Sequence, residues 1–192
     1  MLFNHVSDAL FTEYFSTHVG IQNNHFDPLR CAIWLQTARG FPESQGRLAN
    51  QSFCFLDIDH FKAINDTYGH DVGDKAIKAF AQCIKEGVRE SDVLFRWGGE
   101  EFLIVLRNPE DTVPDISKVL ERVCRKVEAI DIDGVPKFTV SIGYCEYHYD
   151  DDIDDAIKNA DTALYAAKHS GRNRVFRYNS GLKMNKPFVP SA

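Results

Sequence analysis

Apolar residues recur at two periods along this chain, and the alternation of those periods gives the order of its elements. "SFCFLD" (52–57) reads as a short strand, followed by a polar, glycine-punctuated segment. A helix from about Asp74 to Val88 then repeats Ile77, Phe80, Ala81, Ile84 and Val88 at helical spacing. Val93 to Leu106 holds two strands around a Gly-Gly turn, a hairpin signal. A helix over about 114–129 presents Ile116, Val119, Leu120, Val123 and Val127, after which "DGV" turns the chain into the strand "KFTVSIGYCEY". "YDDDIDDAIKNADTALYAAKHSG" reads as an acidic cap, a helix and a glycine stop, and "RVFRY" as a last short strand.

Before residue 50 the pattern weakens. Residues 2–19 carry aromatic contacts for one or two helical turns, 20–28 connect, Leu29 to Ala38 suits a helix, and "RGFPESQGRLAN" is a turn-rich link. The main domain is expected to begin between residues 25 and 50. The element order implies an α/β sandwich with a largely antiparallel sheet and helices on its face.

Composition narrows the class of protein. A chain of 192 residues, 44% hydrophobic with a net charge of -6, has the balance of a soluble globular domain plus an appendage. Its acidity offers no global attraction for nucleic acid, so a phosphate ligand must be held by local groups. The five cysteines, Cys31, Cys54, Cys83, Cys124 and Cys145, are scattered and odd in number, which suits buried thiols in a reducing cytoplasm better than disulfides or a zinc site. No apolar stretch approaches the length of a membrane span.

The candidate chemistry gathers around strand ends. Asp57 and Asp59 close the first strand in "FLDIDHF"; alternation sends both to one face, where they can hold a hard cation beside the Ile58 carbonyl, although paired acids also simply start turns. Gly98 and Gly99 permit a tight turn and a close ligand approach, delivering Glu100 and Glu101 to the same edge; the plainer alternative is a charged solvent hairpin. Asn65 donates and accepts while Asp74 only accepts, a pair suited to a guanine edge and equally suited to caps and turns. Lys62 can meet phosphate; Lys168 and Arg172 can do the same or compensate a helix dipole. His60 and His70 read as structural or hydrogen-bonding residues, and the aspartates of 150–155 as capping groups rather than a metal loop. There is no GxxxxGK[ST] and no GxGxxG after a strand.

Taken together and in order, "FLDIDHFKAINDTYGHDVGDKAI", "RWGGEEFLIVL", "TVSIG" and "NADTALYAAKHSGRNRV" closely resemble the GGDEF family of diguanylate cyclases, over roughly residues 50–178. The resemblance implies a palm-like nucleotide cyclase fold with a central five-stranded, largely antiparallel sheet, residues 1–49 forming a divergent helical or linker region and 179–192 a polar tail. It implies condensation of two GTP into cyclic di-GMP and two pyrophosphates, each 3′-hydroxyl attacking the other nucleotide's α-phosphate across a homodimer. By motif position, Asp57, the Ile58 carbonyl and Glu100 would hold Mg²⁺, or Mn²⁺ in its place, with Glu101 a further metal or substrate contact. The resemblance implies Glu100, Asp57 and Lys168 as the catalytic set, with Glu100 or a water it orients as the candidate acceptor of the hydroxyl proton. Asn65 and Asp74 would read guanine, while the backbone at His60 and Phe61, with Lys62, Lys168 and Arg172, would hold phosphates.

Arg89 and Asp92 form an RxxD resembling the family's product-inhibitory site, with Arg96 in support of that site or the active one. Glu100 stands where the family commonly has Asp, and Asp74 favours GTP over mixed substrates. The "DxLTGLxNRR" segment usual upstream is reduced here to the Asp-Pro-Leu of residues 27–29 in "DPLRCAIWLQTARG". The competing expectation is a catalytically silent module that binds GTP or cyclic di-GMP and acts through a protein partner; an upstream sensor or regulatory protein suits either reading.

Overall fold

Nine elements follow one another in the computed structural model, which describes residues 51–90, 92–107, 115–148 and 151–179. They are β1 (Gln51–Ile58), α1 (Phe61–Tyr68), α2 (His70–Gly87), β2 (Val93–Arg96), β3 (Glu101–Arg107), α3 (Ile116–Glu128), β4 (Val140–Tyr147), α4 (Ile153–His169) and β5 (Val175–Arg177). The expectations for residues 1–49 and, beyond Asn179, for the tail lie outside the described residues.

The sheet runs β2-β3-β1-β4-β5. β1 pairs antiparallel with both β3 and β4, β2 pairs antiparallel with β3, and β5 lies parallel to β4. This is the five-stranded, palm-like α/β arrangement expected from the sequence.

Alternation along β1 divides the interior into two layers. Cys54, Leu56 and Ile58 join Ile77, Phe80 and Ile84 of α2 and Leu120, Val123 and Val127 of α3 on one face. Phe53 and Phe55 join Leu103 and Val105 of β3 and Ile153, Ala156, Ala160 and Leu164 of α4 on the other. Burying each large side chain contributes roughly 1.5–3 kcal/mol against chain entropy. Phe80 meets Phe102 edge-on at 5.0 Å, locking α2 to β3.

Helix α4 lies unusually close to its sheet because β4 carries Gly143. A Cβ at that position would overlap the backbone of Leu164, so the glycine is a packing requirement rather than a flexible point. Small residues Ala156, Ala160, Ala163 and Ala167 are buried along the same helix. The close contact fixes how far α4 reaches, and hence where Lys168 falls.

Two boundaries differ from the sequence reading. The polar segment after β1 is helical: α1 buries only Phe61 and Ile64, stops at Gly69 with φ 85, and α2 begins at His70, four residues before the expected start. Residues 137–139 do not join β4; Thr139 O instead accepts from the Asp59 N–H at 2.9 Å, just beyond the end of β1. Of the aspartates before and in α4, Asp152 is the cap, accepting from the backbone N–H groups of Asp154 and Asp155, which lie in the first turn.

Candidate active site

The register of β1 against β3 makes the site. Asp57 stands directly opposite Glu101, continuing the row in which Phe55 faces Leu103 and Phe53 faces Val105. Those apolar pairs lie on the α4 face, so the row ends in two carboxylates on that face. Lys168, in the last turn of α4, places Nζ 2.7 Å from Asp57 Oδ2, with only 29% and 10% of the two side chains exposed. Lys168 is therefore held to the strand end by an ion pair, beyond any compensation of the helix dipole.

Crowded acids set the electrostatics. Burial pushes the Asp57 carboxyl up to about 6; Lys168 opposes this through its hydrogen bond and charge, while Glu100 and Glu101 add to it. Burial likewise raises Glu101, with Lys168 pulling down and Glu100 and Asp161 pushing up. The Lys168 ammonium thus acts on Asp57 and Glu101, on which Glu100 and, for Glu101, Asp161 also press, an excess of negative charge that favours a further cation. The oxygen-only donor set, Asp57, Glu100, Glu101 and the Ile58 carbonyl, fits a hard ion such as Mg²⁺. Among the described residues no group of three or more His, Cys, Asp or Glu side chains is gathered as a ready metal cage.

Glu100 closes the hairpin loop between Arg96 and Glu101. Its carbonyl accepts from the Ile58 N–H at 3.4 Å, while the Glu101 carbonyl accepts from Trp97 and Gly98 at 2.8 and 3.1 Å. Arg96 clamps the loop, donating from Nε to the carbonyls of Gly98 and Gly99 at 3.2 Å and from Nη2 to Gly99 at 2.7 Å. Neither glycine has a positive φ. A Cβ at Gly98 would press on Glu101 Oε2, and one at Gly99 would meet nothing within 4 Å. A side chain at the first position would displace the Glu101 carboxylate, whereas the second position leaves the outer side of the turn open.

The expected guanine-reading pair sits where α1 meets α2. Gly73 allows this meeting, since a Cβ there would overlap Asn65 Oδ1. Asp74 follows on α2, exposed. At the other end of α1, His60 takes a left-handed φ of 58 with no side-chain cap, the Ala63 and Ile64 amides donate to His60 O, and Lys62 is exposed. Arg172 follows α4 in a loop with φ 61. The residues expected to contact nucleotide are therefore arranged around the ends of β1, α1 and α4.

Asp59 does not follow the metal alternative that its pairing with Asp57 left open. Instead of standing beside Asp57 as a second metal carboxylate, it is 4% exposed and accepts from Thr139 Oγ1, Ser141 Oγ and the Asn173 N–H. Because β1 ends at Ile58, strand alternation no longer governs residue 59. The sequence reading also passed over Asp161, whose signal was its position seven residues before Lys168 on the same face of α4.

Arg89 and Asp92 lie elsewhere. Asp92 Oδ2 accepts from the Arg89 N–H at 2.8 Å, and Oδ1 from the Arg107 N–H at 3.1 Å. Arg107 pairs with Gln51 at the far end of the β1–β3 ladder from Glu101, roughly 20 Å away along the strand. Arg122 of α3 donates to Gly87 O at 3.1 Å, bringing a second arginine to the end of α2 near Arg89.

The comparisons agree with this architecture. The family model "Diguanylate cyclase, GGDEF domain" matches residues 36–174. The diguanylate cyclase DgcM of Escherichia coli is 45% identical over 125 residues, 65% of this chain and 30% of that protein. The chain thus spans about a third of the length of the curated relatives it matches. The GGDEF domain of DgcB from Caulobacter crescentus, solved in complex with c-di-GMP, is similar with a TM-score of 0.65 and 30% identity, covering 81% of this chain and 96% of that one. Diguanylate cyclase SiaD of Pseudomonas aeruginosa, solved with its activator SiaC, gives a TM-score of 0.65 and 31% identity over 91% of this chain and 70% of that one. With the family model covering most of the chain and the acid-bearing hairpin in register with β1, this protein belongs to the GGDEF diguanylate cyclase family.

Proposed function

We propose that this protein is a diguanylate cyclase that condenses two GTP into cyclic di-GMP. The observation that carries the reading is the register of Asp57 opposite Glu101 with Lys168 Nζ 2.7 Å from Asp57. It supports a site able to take both a cation and a polyphosphate at one strand edge.

Asp57, the Ile58 carbonyl and Glu100, supported by Glu101, would hold Mg²⁺ or Mn²⁺. Such an ion supplies charge neutralisation on the transferring phosphoryl group. Asn65 and Asp74 read the guanine edge; the first-turn amides of α1 at His60 and Phe61, with Lys62 and Arg172, hold the phosphates. Lys168, released from Asp57 in part as nucleotide arrives, turns its ammonium to the phosphate oxygens. Glu100, or a water it orients, takes the proton of the attacking 3′-hydroxyl. A new ester bond forms at the α-phosphorus, the α–β phosphoanhydride bond breaks, and pyrophosphate leaves with the electron pair. A second identical displacement closes the ring.

One site holds one GTP, so two copies must face each other. The product site is assigned to Arg89 and Asp92, with Asp92 already committed to holding the turn. The DgcB complex with c-di-GMP supports product binding, and the SiaD–SiaC complex supports regulation by a protein partner. No helix among the described residues is long and apolar enough to cross a membrane.

The test is Glu100→Gln, which removes the charge and leaves the shape. Cyclic di-GMP formation should fall by about 10³-fold, with an unchanged melting profile, while Glu100→Asp retains turnover. Full activity in Glu100→Gln would remove the assignment.

A further inference from the structure

The loop that carries Arg172 is held in an unfavourable shape, by ties from α4, β4 and the Arg174 side chain, which donates from Nε to Arg172 O at 2.8 Å, and by one side chain from just beyond β1. Gly171, Arg172 and Asn173 have successive φ values of 113, 61 and 46. The left-handed region is costly for Arg172, though readily taken by glycine and asparagine, so the run persists at residue 172 only when its surroundings fix it. Two main-chain ties act on the loop: Arg172 N–H donates to Ala167 O at 3.1 Å, and Arg174 O accepts from the Ile142 N–H at 2.9 Å. Between them the Asn173 N–H donates to Asp59 Oδ2 at 3.0 Å.

Asp59 is placed for this task. The same Oδ2 accepts from Thr139 Oγ1 at 2.7 Å, and Oδ1 accepts from Ser141 Oγ at 2.7 Å. Its own N–H donates to Thr139 O at 2.9 Å. The carboxylate therefore ties three segments together: the end of β1, which carries Asp57 and Ile58; the start of β4; and the α4–β5 loop. All three side-chain or main-chain donors are neutral, and the residue is 4% exposed, so the charged oxygens are committed to this junction. A serine or asparagine cap of the loop alone would not span it.

We propose that Asp59 is the positioning residue that holds Arg172 in register with the acidic end of β1, setting the spacing between phosphate grip and acid cluster. The inference rests on the phosphate role proposed for Arg172. Asp59→Asn retains one acceptor for Ser141 and turns an amide against two donors, which frees the loop while conserving volume.

The measurement is binding, with the full chain and Mg²⁺, of a GTP analogue bearing a methylene bridge between its α- and β-phosphorus atoms, beside GMP, which lacks the outer phosphates. Asp59→Asn and Arg172→Ala should each weaken the analogue by about tenfold and GMP by less than about twofold. The double variant should bind no more than about twofold more weakly than Arg172→Ala alone, because Asp59 acts through Arg172. Multiplicative losses, or equal loss of GMP, would overturn the inference. Unchanged analogue binding in Arg172→Ala would instead remove the phosphate role on which it rests. Should Asp59→Asn fail to fold, Thr139→Val removes a single donor from Oδ2; it should weaken the analogue a few-fold and leave GMP unchanged, and parallel loss of both would again overturn the proposal.

Discussion

Asp57 is contested by two cations, the ammonium of Lys168 that touches it and the metal that the proposed reaction needs. A proton is a third competitor, since the carboxyl is raised to about 6 by burial and by Glu100 and Glu101. Metal binding requires the ionised form, so affinity should drop as pH falls through about 6. Stability runs the other way: between the ordinary carboxylate range and about 6 the folded state holds the proton that the unfolded chain has lost. This group's contribution is thus most favourable below that range and diminishes as pH rises to about 6. Mn²⁺ binding without nucleotide, followed by water-proton relaxation from pH 5 to 8, should show the midpoint, and Lys168→Met should move it upward. A midpoint unaffected by Lys168→Met would contradict the electrostatic coupling. At this scale residue type and motif pointed to Asp57, Glu100, Glu101 and Lys168; strand alternation alone did not separate Asp57 from Asp59, whereas motif position did. Both are aspartates two positions apart, and only the end of β1 at Ile58 sends the second toward Thr139 and Asn173.

Among the elements, periodicity was informative wherever a face had to be buried. Helices α3 and α4 and the hairpin appear where apolar spacing put them. Helix α1 was hidden because two buried residues in eight leave no pattern to read, and its proximity to α2 depends on a glycine at position 73 rather than on an apolar stripe. The sequence pattern starts β4 too early because Lys137, Phe138 and Thr139 have strand-compatible chemistry but lie outside the ladder, with Thr139 bonded to Asp59 beyond the end of β1. Gly143 was likewise not singled out, although α4 rests on it. Gly143→Ala should therefore destabilise the fold by about 3 kcal/mol, as a forced backbone shift, seen as a lower urea midpoint. It should also cost activity by displacing Lys168. Wild-type stability in Gly143→Ala would show that α4 can move off the sheet freely.

In the whole molecule, β3 runs between the two sites proposed above. Glu101 begins the strand at the acid cluster; Arg107 ends it against Asp92. On the proposed assignment, this separation would let a product site at Arg89 and Asp92 act on turnover without sharing atoms with the acid cluster. Arg89→Ala should leave the initial rate within about twofold while raising the cyclic di-GMP concentration needed for half-inhibition by about tenfold or more, the loss of a charge-assisted contact. Unchanged inhibition would remove Arg89 from that role. The central claim, that two facing copies join two GTP, is tested most directly by the initial rates of cyclic di-GMP and pyrophosphate release, with GTP and Mg²⁺, across a range of enzyme concentrations. The predicted result is two pyrophosphates per cyclic di-GMP and a rate that rises faster than linearly with enzyme until dimers saturate. GTP bound without pyrophosphate release, at concentrations where the chain is dimeric, would contradict it.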